Sequence, residues 1–139
     1  MEKDLHSDDQ IRKFYTLKKI AVVGMSKNPD KAAYYVPKYL IDHGFNVIPV
    51  NPSATEILGR KSYASVSDIN DEIDIVDIFR PSEDVQGIVE DALKKEGIKV
   101  IWMQKGIHNE KAEKIAKERN LAVVYNRCMM AEHQRLFSD

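Results

Sequence analysis

The residues best suited to chemistry lie in a loop that begins at a glycine. Gly24 follows a run of apolar residues, Ser26 offers a hydroxyl group, and Lys27 and Lys31 add positive charge. Glycine lets the backbone turn sharply, and a following helix directs its free amide groups and the positive end of its dipole toward the same space. This pattern predicts an anion site, most naturally for phosphate. The competing interpretation is a solvated loop whose lysines are there by chance.

A second group of candidate residues lies in two later segments that also follow apolar runs. Phe79, Arg80 and Pro81 place an aromatic ring, a cation and a rigid turn side by side. Arg80 could pair with a phosphate or stack on a purine, while Phe79 could equally belong to the core. Gln104, which precedes Lys105, could bond either a ligand amide or its own loop.

Other kinds of site have no support in the sequence. The single cysteine, Cys128, excludes an internal disulfide and a cysteine-based zinc cluster. The four histidines are too scattered to have the spacing of metal ligands. The chain has no Ser/His/Asp arrangement and no G-x-S-x-G motif. We therefore expect neither a metal site nor catalytic residues.

A dinucleotide-binding loop matches the sequence less well. A G-x-G-x-x-G motif that begins at Gly24 would need glycine at the positions of Ser26 and Pro29. The acidic residue that would bind a ribose after the second strand is replaced by Asn51 and Pro52. An NAD(P)-linked oxidoreductase is therefore disfavoured but stays open as an alternative. The lack of a P-loop motif leaves an ATPase without support.

The elements that must position these residues alternate between strands and helices. Apolar runs typical of strands buried on both faces are separated by segments of helical periodicity. The strands are expected at 20–24, 46–50, 73–79, 98–103 and 121–125. Right-handed crossovers then predict an α/β fold, a Rossmann-like parallel sheet of about five strands with helices on both faces, in one domain over residues 1–139. Ligands of such sheets bind at the carboxyl ends of the strands, where the candidate residues lie.

Capping residues and prolines predict where several elements begin and end. Ser7 has the spacing of a capping box, and Ser82 and Asn109 are expected to cap later helices. Pro37 is tolerable only in the first turn of its helix, because proline has no N–H to donate. For the same reason Pro49 is expected near a sheet edge or a strand end.

The composition is that of an ordinary globular protein. Of the 139 residues, 43% are hydrophobic and 31% are charged, and the net charge is −1. These values argue against a disordered chain and against a surface built for duplex DNA. The N-terminus has no apolar segment of the signal-peptide type, and no apolar run is long enough to span a bilayer. The default location is therefore the cytoplasm.

Several motifs, taken in order, resemble the small CoA-binding domain proteins, which are similar to the N-terminal CoA-binding domain of the succinyl-CoA synthetase alpha subunit. The resemblance rests on the loop after the first strand and on four later motifs, V-I-P-V-N-P at 47–52, V-D-I-F-R at 76–80, W-M-Q-K-G at 102–106 and N-R-C at 126–128. It covers residues 15–135 and involves several different strand ends. It implies a Rossmann-like fold that holds coenzyme A.

The resemblance also implies which residues contact coenzyme A. The first loop would bind the phosphates, the turn after the second strand would approach the nucleotide, and the turns at 79–81 and 104–105 would line the adenosine and pantetheine path. The implied residues are Gly24, Ser26, Lys27, Asn28, Pro29, Lys31, Tyr34, Asn51, Pro52, Phe79, Arg80, Pro81, Gln104 and Lys105. Relatives often carry arginine at Lys31, serine near Ala33 and lysine at Ser53, so the residue that holds the 3′-phosphate stays open.

The expected function is that of a stand-alone protein that binds CoA or an acyl-CoA without catalysis of its own. The synthetase alpha subunit has a second domain with a phosphorylated histidine, and this chain ends before such a domain could begin. The alternatives are the NAD(P)-linked oxidoreductase and a regulatory or scaffold module with a partner protein. A homodimer also fits, whereas nucleic acid and membrane partners are not expected. If Cys128 borders the pantetheine end, oxidation could join it to the CoA thiol as a mixed disulfide.

Overall fold

The computed structural model describes residues 1–138 as a parallel sheet with a small hairpin and flanking helices. The strands are β1 (Lys19–Val23), β2 (Asn46–Val50), β3 (Glu56–Ile57), β4 (Arg60–Lys61), β5 (Ile75–Ile78), β6 (Val100–Met103) and β7 (Ala122–Val124), of which β3 and β4 form the hairpin. The helices are α1 (Asp8–Phe14), α2 (Ala32–Asp42), α3 (Val85–Ala92), α4 (Glu110–Glu118) and α5 (Met129–Phe137). Single 3-10 turns lie at Val66–Asp68 and Ser82–Asp84.

The order of the strands confirms the expected fold class. The sheet runs β2-β1-β5-β6-β7, and all neighbouring strands are parallel. The chain goes from β1 to β2 on one side and later to β5 on the other, so the strand order reverses between β1 and β5. The carboxyl ends of the strands form a crevice at such a reversal. Because Val23 lies opposite both Val50 and Ile78, the segments that follow β1, β2 and β5 meet there.

Helices cover both faces of the sheet, as expected. α1, α2 and α5 bury Ile11, Leu40 and Met129 against one face, whereas α3 and α4 bury Val89 and Ala116 against the other. Each fully buried side chain of the size of Leu40 stabilises the fold by about 1.5–3 kcal/mol. Within residues 1–138, none of the helices has the length and apolar character needed to cross a membrane.

Three of the local signals are confirmed. The Ser7 side chain accepts a hydrogen bond from the backbone of the first turn of α1, and the reciprocal bond completes a capping box. The Asn109 side chain caps α4 by accepting from the N–H of Ala112 at 2.8 Å. Pro49 lies in β2, which is an edge strand, so its missing N–H leaves no gap inside the sheet.

Two local predictions are wrong, and in both cases a hydrogen bond to a residue outside the helix explains the difference. Pro37 lies in the middle of α2 rather than in its first turn. The carbonyl of Ala33, which position 37 would normally bond, instead accepts from the N–H of Ser26 at 3.0 Å. Ser82 does not cap a helix, because a 3-10 turn precedes α3 and the Ser82 hydroxyl accepts from the N–H of His108 at 3.1 Å.

The central strand β5 carries a buried carboxyl group. Asp77 is fully buried opposite Val22 in β1 and Trp102 in β6. Among the atoms of residues 1–138, neither of its carboxyl oxygens has a hydrogen-bond partner. Burial raises the pKa of Asp77 well above the usual value, because a charge is poorly solvated in the interior.

The first residues of the chain are tied to the segment after β7 by a buried ion pair. Asp4 and Arg127 approach to 2.9 Å, and both side chains are largely buried. Asp4 also accepts from the N–H groups of Tyr125 and His6, while Arg127 bonds Glu132 at 3.1 Å. Burial alone would raise the pKa of Asp4, but the bonds from His6 and Tyr125 outweigh it, so this pKa lies below its usual value.

Candidate functional site

A cavity of about 800 Å³ opens at the point where the strand order reverses. Its wall is built mainly from the segments that follow β1, β2 and β5. The lining residues are Val23, Gly24, Met25, Ser26, Lys31, Ala33, Val50, Asn51, Pro52, Ser53, Ala64, Phe79, Arg80, Asp84 and Ile88. Its volume lies in the range that small-molecule sites occupy, about 300–1,000 Å³.

Gly24 is the point at which the three strand ends come together. Its N–H donates to the carbonyl of Val50 at 2.9 Å, and the N–H of Phe79 donates to the carbonyl of Val23 at 2.9 Å. Gly24 has a φ of +85°, and a Cβ atom there would lie 2.9 Å from the carbonyl oxygen of Phe79 and 3.0 Å from Cδ of Arg80. Both the backbone conformation and the close contact therefore require glycine.

The loop from Gly24 to Lys31 is held by its own polar side chains. The hydroxyl oxygen of Ser26 accepts from the N–H of Asn28 at 3.0 Å, and the amide oxygen of Asn28 accepts from the N–H of Asp30 at 3.0 Å. Lys31 directly precedes α2, and no side chain among residues 1–138 caps the amide groups of the first turn of this helix. The positive end of the helix dipole favours an anion at this end of α2.

Asn51 links the loop after β2 to the loop after β1. Its amide nitrogen donates to the carbonyl of Met25 at 2.9 Å, and its amide oxygen accepts from the N–H of Ser53 at 2.8 Å. Both polar ends of the side chain are therefore engaged within the protein. Asn51 thus positions the cavity wall. It has no carboxylate with which to bind a ribose, as the acidic residue of dinucleotide sites does.

Three charged side chains line the cavity. Arg80 donates from Nη2 to Oδ2 of Asp84 at 3.0 Å, and both side chains are about half exposed. Lys31 is exposed and forms no ion pair with any of residues 1–138. The cavity lining thus carries two positive charges and one negative charge, and this net positive charge favours an anionic ligand.

Seven of the residues implied by the resemblance line this cavity: Gly24, Ser26, Lys31, Asn51, Pro52, Phe79 and Arg80. Lys27, Asn28 and Pro29 are exposed in the adjoining loop. Tyr34 lies in the first turn of α2, and Pro81 precedes the 3-10 turn before α3. These last five residues are not part of the cavity lining.

Gln104 and Lys105 lie apart from the cavity. Gln104 is buried, and its side-chain oxygen accepts from the N–H of Met129 at 3.0 Å, so it anchors the start of α5. Of the two interpretations of Gln104, the structure favours the bond within the protein. Lys105 is exposed at the rim of a second cavity of about 610 Å³. The arginines of that second cavity, Arg127 and Arg135, are already paired with carboxylates.

Cys128 lies at the start of α5, half-buried against the apolar layer that contains Met129. It is not part of the cavity lining. A mixed disulfide with the thiol of bound CoA therefore stays a prediction. Intact mass after treatment with diamide and CoA tests it, because diamide takes up the two electrons and two protons that the thiols lose.

Comparisons with known proteins point to one family. A family model described as "CoA binding domain" matches residues 18–134. The chain belongs to the CoA-binding domain family. This CoA-binding domain is 40% identical over 116 residues to the Bacillus subtilis protein called "Uncharacterized protein YneT", covering 84% of this chain and 85% of that protein.

Other relatives are longer, and solved structures share the whole fold. An acetate–CoA ligase (ADP-forming) of Methanocaldococcus jannaschii is 33% identical over 120 residues, covering 81% of this chain but 17% of the ligase. A hypothetical protein from Pyrococcus horikoshii OT3 matches with a TM-score of 0.93 and 46% identity, covering 99% of this chain and 100% of that one. A Thermus thermophilus structure matches with a TM-score of 0.90 and 38% identity, covering 95% of this chain and 100% of that one. The resemblance to CoA-binding proteins is thus confirmed.

Sequence reasoning missed part of the wall of this CoA-binding domain. Asp84 was absent from the expected site, although its spacing of four residues from Arg80 is a signal for an ion pair on one helical turn. Ala64 and Ile88 form an apolar part of the wall together with Val50. These residues belong to different elements, and no local pattern brings them together.

Proposed function

We propose that the protein is a stand-alone binder of CoA or an acyl-CoA, held at the carboxyl ends of the strands, with no catalysis of its own. The observation that carries the proposal is the cavity at the strand reversal, which combines an uncapped helix start with Lys31 and Arg80 in a chain of the CoA-binding domain family. Relatives in which the matched region makes up nearly the whole chain support a role without attached domains.

The phosphates of CoA fit the positive side of the cavity. The amide groups at the start of α2 and the ammonium of Lys31 supply donors on one side, and the guanidinium of Arg80 supplies donors on the other. Gly24 lets the stem of Arg80 pack closely against the loop after β1. A diphosphate bridging Lys31 and Arg80 would place negative charge against both cations.

The apolar part of the wall fits the adenine ring. Val50, Ala64 and Ile88 offer an apolar contact for the ring. The pantetheine arm would then leave the cavity over the ends of β5 and β6, toward the exposed Lys105. This direction follows the path expected from the sequence.

The lining residues support binding without catalysis. The cavity wall contains neither histidine nor cysteine, and its one carboxylate, on Asp84, is paired with Arg80. The hydroxyl of Ser26 lies beside the N–H of Asn28 and not beside a general base. An NAD(P)-linked oxidoreductase would need an acid or base that the wall does not offer, and a ribose carboxylate that Asn51 does not replace.

A module that works with a separate partner protein is the second candidate. It is favoured by the ligases, in which the matched region is a small part of a longer chain, 17% in the Methanocaldococcus jannaschii protein. In that case the ligand site would be the same, and a partner would supply the chemistry. Pull-down with Lys31→Gln and Arg80→Gln variants separates a pure scaffold from a CoA-dependent module, because scaffold binding survives both changes.

Isothermal titration calorimetry with CoA and with NAD tests the proposed function. We expect saturable binding of CoA and about tenfold weaker binding in Lys31→Gln and in Arg80→Gln, since each loses a charge-assisted hydrogen bond. The control is Lys111→Gln, which removes an exposed charge on α4, away from the cavity. Absence of heat with CoA together with saturable binding of NAD would refute the proposal.

A further inference from the structure

Among residues 1–138, the carboxylate of Asp84 forms a hydrogen bond with Arg80 and with no other side chain or backbone group. Asp84 directly precedes α3, where an aspartate commonly caps the helix, but its side chain accepts no capping bond. The carboxylate instead accepts from Nη2 of Arg80 at 3.0 Å and lines the cavity beside that cation. One negative charge thus lies within a site whose other two charged groups are positive.

The stem of Arg80 and the backbone of Asp84 are both held by neighbouring groups. Cδ of Arg80 lies 3.0 Å from the position of a Cβ atom on Gly24, so the stem of the arginine packs over the glycine. The backbone of Asp84 is held by its N–H, which donates to the carbonyl of Pro81 at 2.9 Å. In this arrangement, a phosphate that bonds Arg80 approaches the carboxylate of Asp84 as well.

We propose that Asp84 limits the affinity of this site for phosphate-bearing ligands by holding one edge of Arg80 and repelling the incoming anion. The inference rests on the proposed function, because the anion that it concerns is the diphosphate of CoA. Asp84 is in this sense a residue that sets the affinity and the salt dependence of binding.

Two opposing effects decide whether CoA binds more tightly or more weakly when the charge of Asp84 is removed. The pair also orders the Arg80 side chain, but an ion pair this exposed changes a binding constant by only about twofold. Repulsion between a carboxylate and a doubly charged diphosphate about 7 Å away corresponds to about fivefold to tenfold in water-like surroundings. Repulsion is the larger effect, so removal of the charge strengthens binding.

Calorimetry with CoA on the wild-type protein and on Asp84→Asn tests the inference. We expect binding to be about threefold to fivefold tighter in Asp84→Asn at about 0.05 M salt, and the difference to shrink below about twofold at about 0.3 M salt, where charges are screened. Asp42→Asn is the matched control, since it breaks a similar exposed pair with Lys38 at 2.9 Å outside the cavity. Asp84→Ser is a second variant in case the amide makes a new contact.

The outcomes separate the two proposals. If the wild-type protein binds CoA and both Asp84 variants bind it equally or more weakly, the inference is overturned and the proposed function stands. If neither the wild-type protein nor the variants bind CoA, both are overturned. A gain of the same size in Asp42→Asn would also overturn the inference, because the effect would then come from net charge alone.

Discussion

The backbone N–H of Ser26 donates to the carbonyl of Ala33 at 3.0 Å, across the junction between the loop after β1 and the helix α2. In a regular helix that carbonyl would accept from the residue four positions later, which here is Pro37 and has no N–H. The proline therefore frees an acceptor for the loop. The hydrogen bond that is missing inside α2 thus lets the helix hold the loop that lines the cavity.

Replacement of Pro37 by alanine should loosen this loop. The new N–H at position 37 would compete with Ser26 for the carbonyl of Ala33, and loss of one hydrogen bond is worth about 1 kcal/mol. Hydrogen exchange measured by NMR should show the amide of Ser26 exchanging about fivefold faster, while the helix itself melts at the same or a higher temperature. Lys38→Ala is the control, and equal exchange rates in both variants would show that the proline does not serve the loop.

The contact at Gly24 predicts a large loss of stability in Gly24→Ala. The added methyl group would meet the carbonyl oxygen of Phe79 at 2.9 Å in a backbone with a φ of +85°. We expect a loss of about 3 kcal/mol, part from the conformation and part from the contact. Gly44→Ala isolates the conformational part, since Gly44 has a φ of +91° with no atom within 4 Å of the added group. Urea denaturation should give the larger loss for Gly24→Ala, and equal losses would contradict the contact.

The buried Asp77 predicts that stability falls as the pH rises. Because its pKa is raised in the folded state, the folded protein keeps a proton that the unfolded chain releases above about pH 4. The free energy of unfolding should therefore decrease by roughly 1 kcal/mol per pH unit from about pH 4 up to the raised pKa. Asp77→Asn has no proton to lose, so its free energy of unfolding should lack this decrease.

Urea denaturation between about pH 5 and pH 7 measures the difference between the wild-type protein and Asp77→Asn. His133, whose pKa is lowered by burial and by His43 and Lys18, contributes the opposite slope in both proteins and cancels in the difference. Asp71→Asn, which removes an exposed carboxylate, serves as the control. If Asp77→Asn and the wild-type protein have the same pH dependence, the carboxyl group of Asp77 does not hold a proton in the folded state.

The ion pair between Asp4 and Arg127 should contribute far more to the free energy of unfolding than the surface ion pairs do. Arg127→Met would leave the carboxylate of Asp4, with 3% of its side chain exposed, without its arginine partner. Such a loss costs about 3–5 kcal/mol. Arg12→Met, which breaks a pair with the 88% exposed side chain of Asp9, should cost less than about 1 kcal/mol. Similar denaturation midpoints for the two variants would refute this ranking.

The order and type of the main elements could be predicted because their signals are local. Alternation of apolar runs with helical segments is sufficient for the parallel sheet, and Ser7 and Asn109 cap the helices next to them in sequence. The predictions for Pro37 and Ser82 were wrong because the bonds that decide their positions come from residues outside their own helices. The bond that compensates Pro37 comes from Ser26, and the bond that occupies Ser82 comes from His108, 26 residues away.

Some residues of the candidate site could likewise be predicted from local signals, whereas others depend on the complete fold. Gly24 and Arg80 lie within two residues of a strand end, and Lys31 ends the loop after β1, so the rule that ligands bind at strand ends was enough to select them. The side chain of Gln104 follows a strand too, yet it turns inward to Met129, which only the packing of α5 determines. The apolar wall of Val50, Ala64 and Ile88 needs the complete fold, because each residue comes from a different part of the chain.

The two outermost strands of the sheet restrict how this protein can associate with other chains. β2 contains Pro49, and its outer side already bonds the segment around Tyr63, whose N–H donates to the carbonyl of Pro49 at 3.0 Å. At the opposite margin, β7 has three residues. Neither strand offers a long row of free backbone groups, so growth by strand addition, including amyloid-like stacking, is disfavoured. We therefore expect a dimer or complex to form through helices and loops.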